Sequence, residues 1–279
     1  MDTASNDHQQ LFDVAPPPSL PERILALAAD FTRHHDQLAD HRLNTPSHAD
    51  QLTAPRRSAE RLGHQARGLR HEVSATLPRY PAATRDAVAR LHQLTHLAET
   101  AAAHLDGLQR TLETGSPATR STAVTTARAL TRLAADDLVA SAVSVAHELR
   151  VRNIRDLSAQ ALPLSAAENE ALTAVAGGHV ALTDPQGSPY VESRPPVAIA
   201  TLRALTAQGL VESVAMPAEY ENWRDQARLQ LTGTGRAHLA GLAGHPASAA
   251  PPTARSLSAT PATAPAPGPA APRTAPSRR

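Results

Sequence analysis

Apolar positions in the first half of the chain recur at helical spacing. In "SLPERILALAADFTRHHDQLADHRL", Ile24, Leu27, Phe31 and Leu38 share one face, and Ser19 and Glu22 stand at capping-box separation with Pro21 in the first turn. "NTPSHADQLTAPR" interrupts this helix, and Pro55 opens the next, whose stripe is Leu62, Leu69, Val73 and Leu77; "PRYP" at 78–81 stops it. A third helix carries Ala87, Leu91, Leu94, Ala98, Ala101, Leu105, Leu108 and Leu112 at alternating spacings of four and three, an unbroken heptad seam. After the glycine and proline of "ETGSPATRS", a fourth carries Ala127, Leu130, Ala134, Leu138, Ala142, Val145 and Leu149. The tight connection predicts an antiparallel hairpin, and helices of this length would give a rod of roughly 45–50 Å. Residues 19–160 therefore predict an elongated antiparallel helical bundle, a coiled-coil hairpin whose two seams either satisfy each other within one chain or recruit a second.

The pattern changes after 160. Ser165 and Glu168 form a second capping-box spacing, and Gly177–Gly178 ends the helix they open. "HVALTDPQGSPYVES" predicts two short strands around a Pro–Gly turn. Ser193 and Pro195–Pro196 lead into a helix that runs to about Gln208, with Gly209 as its left-handed exit. "LVESVAM" and "ARLQLT" predict strands around the loop "PAEYENWRDQ", with Leu210, Val211 and Val214 facing Leu229 and Leu231 across the pair; "GTGRAHLAGL" predicts a closing helix. Residues 1–18 are a flexible lead-in, and 246–279, with nine prolines and no acid, predict a disordered tail. The fold class is thus mainly α: the bundle over 19–160, a small α+β domain over 163–243, and the tail.

Composition narrows the chemistry. There is no cysteine, which excludes disulfides, thiolate metal sites and a cysteine nucleophile. All of the basic side chains other than histidine are Arg, and the six aromatics are too few for a base-stacking surface. Residues 1–160 balance 18 Arg against 18 acids, 161–245 hold 5 Arg and 8 acids, and the tail is basic with 4 Arg. No apolar run approaches the roughly 20 residues of a membrane span, and the N-terminus lacks the pattern of a secretory signal, so a cytoplasmic location is expected.

The order helix, strand, helix, "TLRALTAQGLV", strand, strand, "LQLTGTGRAHL" resembles the winged-helix domain of MarR-like and PadR-like transcription regulators. Thr201, Leu202, Leu205, Gly209, Leu210 and Val211 carry the resemblance, together with Leu229, Leu231, Thr232, Gly235, Arg236, Ala237 and Leu239. It covers about 163–243. It implies that Ser193, Arg194, Thr201 and Arg203 meet the major groove of double-stranded DNA and that Arg224 and Arg228 meet phosphates from the wing. Two features depart from the family: a strand-like segment replaces the short helix that normally precedes the recognition helix, and the wing loop carries Glu219, Glu221 and Asp225.

Other chemical signals are sparse. His92, His96 and Glu99 share a helical face at metal-binding spacing but lie outside the seam, and no partner ligand is identifiable. His34–His35 and Asp136–Asp137 read as solvated pairs. Arg150, Arg152 and Arg155 read as a solvated helix face, with phosphate contact the minor alternative. No phosphate loop or nucleophile elbow occurs. The sequence therefore predicts no catalytic residue, cofactor or metal. It predicts a DNA-binding transcriptional regulator, homodimeric, with the bundle used for dimerisation or sensing. The alternative is an interaction module in which the acidic winged helix docks a protein partner.

Overall fold

A computed structural model of the chain describes residues 17–40, 52–77, 81–110, 117–152, 163–183, 190–217 and 226–242. The chain divides into two units, 1–245 and 246–279, and the tail unit lies outside the described residues. The first unit is mainly helical with a small antiparallel sheet. Its helices are α1 (Leu20–Gln37), α2 (Thr53–Thr76), α3 (Ala82–Arg110), α4 (Pro117–Thr131), α5 (Ala134–Val151), α6 (Ala166–Ala176), α7 (Ile199–Ala207) and α8 (Gly233–Leu242). Its strands are β1 (Val180–Thr183), β2 (Tyr190–Ser193), β3 (Val211–Ala215) and β4 (Gln226–Leu231), in the order β2-β1-β4-β3. Among the described residues, no helix is long and apolar enough to cross a membrane.

The α3 seam is consumed inside the chain. Ala87, Leu91, Leu94 and Ala98 enter a large core with α1, α2 and α5, while Ala101, Leu105 and Leu108 form a second cluster with Leu38, Leu52, Ala59, Val124 and Ala127. Leu112 lies outside the described residues. The predicted fourth helix is two. It breaks at Arg132–Leu133, so that α4 covers the second cluster and α5 returns to α1 in the first. The end of α4 tightens: the Arg132 amide bonds Ala129 O, and Thr131 Oγ1 donates to Arg128 O at 3.2 Å. Asp136 and Asp137 then occupy the first turn of α5, where the positive end of the helix dipole favours acids.

The capping signals divide. At α6 the Ser165 hydroxyl accepts the Glu168 amide, and the Glu168 carboxylate accepts the Ser165 amide at 2.8 Å. The Ser165 hydrogen bonds hold that carboxyl below its ordinary range. At α1 the Ser19 hydroxyl caps no amide and donates instead to Glu22 Oε1 at 2.7 Å. Pro21 removes one of the amides such a cap would use.

In the second half, α6 and α7 end alike. Gly178 (φ 73°) and Gly209 (φ 69°) take the left-handed conformation. The following amides, of His179 and Leu210, reach back to Ala174 O and Leu205 O, each at 3.0 Å. These are Schellman turns, and they aim the chain into β1 and β3. Thr232 then ties β4 to the α7 turn: its hydroxyl donates to Gly209 O at 2.6 Å and accepts the Gly235 amide at 3.1 Å. A Cβ on Gly235 would stand 2.1 Å from Leu210 O, so only glycine fits there.

Between α6 and α7 the chain forms the β1–β2 hairpin, paired from Val180↔Ser193 to Thr183↔Tyr190. This hairpin holds the place where a helix-turn-helix would put its first helix; among the described residues no helix intervenes there. β3 and β4 pair with Val211↔Leu231 in register, but Leu229 faces Ser213 and Val214 faces Arg228. On α7, Leu202 and Leu205 are buried and Ile199 is half-buried.

The segments 19–160 and 163–243 share one buried core. Ile24, Phe31, Leu138 and Val145 belong to the same cluster as Leu172, Leu205, Leu229 and Leu239. Arg150, at the end of α5, donates to Gly241 O in α8.

Candidate functional site

The residues predicted to face DNA separate into distinct environments. On α7, Leu202 and Leu205 turn inward, Thr201 is half-buried, and Arg203 is exposed. Among the described residues, Arg203 has no hydrogen-bond or ion-pair partner. Around it the outer surface of α7 offers Ala200, Thr206, Ala207 and Gln208, all exposed. Ser193 is not on the helix. It ends β2, and its hydroxyl accepts the Val197 amide at 2.9 Å, which shapes the loop that feeds α7. Because this loop is extended, α7 begins at Ile199 rather than at the prolines. Arg224 lies outside the described residues, as do Glu219, Glu221 and Asp225.

Arg228, assigned to the wing by the resemblance, is engaged inside the fold. Its Nε and Nη2 donate to the two oxygens of Asp36 at 3.0 and 2.6 Å, and its Nη1 donates to Gly178 O at 2.9 Å. The side chains of Arg228 and Asp36 are only 16 % and 5 % exposed. A bidentate, largely desolvated pair of this kind holds its partners far more firmly than a surface pair. Gln230, two positions on and so on the same face of β4, accepts from Arg33 at 3.3 Å. One face of β4 is therefore bound to α1.

Arg194 belongs to a different place again. It is exposed and faces a polar cleft bounded by α1, the α4–α5 turn, the α6–β1 turn and the sheet. The cleft comprises two hollows of about 300 and 480 Å³ that share Gly178, His179, Arg194 and Arg228 as walls. Asp136 pairs there with His179 at 2.6 Å. Arg128 donates to the Nε2 of His35 at 3.3 Å, and burial lowers the pKa of His35. This cleft has no counterpart in the local sequence pattern, because its walls come from α1, the α4–α5 turn, the α6–β1 turn, the end of β2 and the β3–β4 pair.

Several other sequence readings change. His34 is fully buried rather than solvated; neither ring nitrogen has a partner, and burial lowers its pKa to about 4. Asp137 lies 3.8 Å from Arg90 and Asp136 bonds His179, so both acids of the 136–137 pair have side-chain partners. His92 and His96 meet edge to face with Nε2 atoms 3.2 Å apart, but Glu99 is engaged by Arg67. Among the described residues, no group of three or more His, Cys, Asp or Glu is placed to hold a metal ion. Arg150 and Arg152 are committed to Gly241 O and Glu148, and Arg155 lies outside the described residues.

No family model, curated protein or solved structure matches the chain.

Proposed function

We propose that the chain is a DNA-binding regulator in which α6, the sheet, α7 and α8 act as a winged-helix-like unit and α7 is offered to the major groove. The carrying observation is the freedom of Arg203. It stands on the outward side of α7 with no partner among the described residues, while the inward residues Leu202 and Leu205 fix the helix to the core. Arg is the usual bidentate partner of guanine, and Thr201 is its only predicted companion left on this helix. The bundle braces the unit through α1 and α5. A homodimer would suit a two-fold operator, but the α3 seam is already filled, so the dimer contact would come from another surface.

Retention of genomic fragments at two salt concentrations tests this reading. Arg203→Ala should weaken specific binding by roughly 1–3 kcal/mol. The salt dependence should be shallow, about one unit of slope per phosphate neutralised, because few cations face outward here. If no fragment is retained at low salt, the DNA reading fails.

A second reading is favoured by a specific observation. The surface around Arg203 is small and uncharged, and Glu212 is exposed on β3, the strand that follows α7. Such a surface suits a protein partner that packs closely against alanine. Protein capture without DNA, lost on Ala207→Arg, would support it.

A further inference from the structure

The polar cleft has an imbalance of commitments. Arg128, Arg132, Arg194, Arg228, His35 and His179 all line it. The acids that line it are Asp36, Asp136 and Glu192. Two of these are already engaged: Asp36 holds Arg228, and Asp136 holds His179. Glu192 lines only the larger hollow.

On the cationic side, Arg132 and Arg194 are both exposed, both face the 300 Å³ hollow, and among the described residues neither makes a side-chain hydrogen bond or ion pair. Exposed arginines elsewhere often take an acid, as in Arg23 with Glu72, Arg33 with Asp30 and Arg110 with Asp106. Arg228 also borders the space, and three of the five N–H donors its guanidinium carries are used inside the fold.

The hollow is of a size that small-molecule sites occupy. Its two uncommitted guanidiniums come from separate elements, the α4–α5 turn and the β2–α7 loop. An oxyanion between them would satisfy both forks at once, and guanidinium geometry suits a carboxylate or phosphate. Leu133, 65 % exposed beside Arg132, supplies an apolar rim for the rest of an organic ligand.

We propose that this cleft binds a small organic anion through its oxyanion head, held between Arg132 and Arg194 against the Arg228–Asp36 pair. The site does not depend on whether α7 meets DNA. Carboxylate and phosphate share the recognising chemistry, and titration separates them.

The experiment is calorimetric titration of the full chain with inorganic phosphate and, in a second arm, with succinate, up to about 10 mM, the weak end of specific small-ligand affinity. Saturable binding is expected in at least one arm, and the arm that binds names the head group. Arg132→Ala and Arg194→Ala should each weaken it about tenfold, because each removes charge-assisted hydrogen bonds to the anion. Both positions are exposed, so circular dichroism should find both variants folded. Arg110→Ala, on α3 away from the cleft, should leave the titration unchanged. No saturable binding in either arm overturns the proposal. So does binding that persists undiminished in Arg132→Ala and Arg194→Ala, or that weakens equally in Arg110→Ala.

Discussion

Arg228 on β4 and Arg203 on α7 read alike in the sequence. Each is an isolated arginine in a segment whose resemblance to a winged helix assigns it to DNA. Their surroundings are opposite. Arg228 lies across Asp36 of α1, with 16 % of its side chain exposed, and fastens the sheet to the bundle. Arg203 is exposed on a helix whose other side is anchored by Leu202 and Leu205. The difference lies in what covers each face. β4 runs against α1, which supplies both Asp36 and Arg33, whereas among the described residues no element lies over the outer side of α7 to supply an acid. Charge in a sequence says which chemistry is available. The packing of distant segments decides whether that chemistry is spent internally.

The largest expected effect comes from breaking the internal member of the comparison. Arg228→Ala leaves Asp36 buried without its cation and should cost about 3–5 kcal/mol in urea unfolding. Acid should give the next largest effect. His34 is neutral in the folded protein, with a pKa of about 4 against 6.5 when unfolded. A lowered folded pKa means its contribution is complete above pH 6.5 and is lost as pH falls towards 4. The loss should reach about 2 kcal/mol between pH 7 and 5 and about 3 kcal/mol by pH 4. His35 and His238 shift in the same direction and add to it. Urea titrations at pH 7 and 5 measure this, and His34→Leu should flatten the dependence. A smaller effect is expected at the tie between the two regions: Thr232→Ala removes the cap of α8 and the bond to Gly209 O, and should cost about 1 kcal/mol. The smallest belongs to Arg203→Ala, which should change stability by no more than about 0.5 kcal/mol.

Much of the fold is legible in local pattern. The seam of α3 is buried where described, because a heptad repeat must find an apolar partner. The Ser165–Glu168 box and the Gly178 and Gly209 turns form because their residues satisfy backbone groups within a few positions. The break between α4 and α5 escapes the pattern, since Ala127, Ala134 and Leu138 keep helical spacing across it while the cluster they join changes. The doublet Asp136–Asp137 is the signal that marks the new helix start.

The candidate site is much less legible. Thr201 and Arg203 lie on α7, the helix read from the sequence. Arg194 and Ser193 sit before that helix, where an extended loop turns one into the cleft and the hydroxyl of the other onto Val197. The fate of Arg228 depends on Asp36, 192 positions away. No periodicity encodes a pairing at that distance. His34, by contrast, stands on the α1 stripe itself, three positions after Phe31 and four before Leu38, so its burial follows the helical spacing.

The most direct test of the contrast is a double-mutant cycle between Asp36→Ala and Arg228→Ala, followed by urea unfolding at pH 7. The account predicts that the two substitutions together cost less than the sum of the singles, with a coupling of about 2 kcal/mol. A sum that is additive within error would mean that Arg228 does not depend on Asp36, and would contradict the claim that this arginine is spent inside the fold.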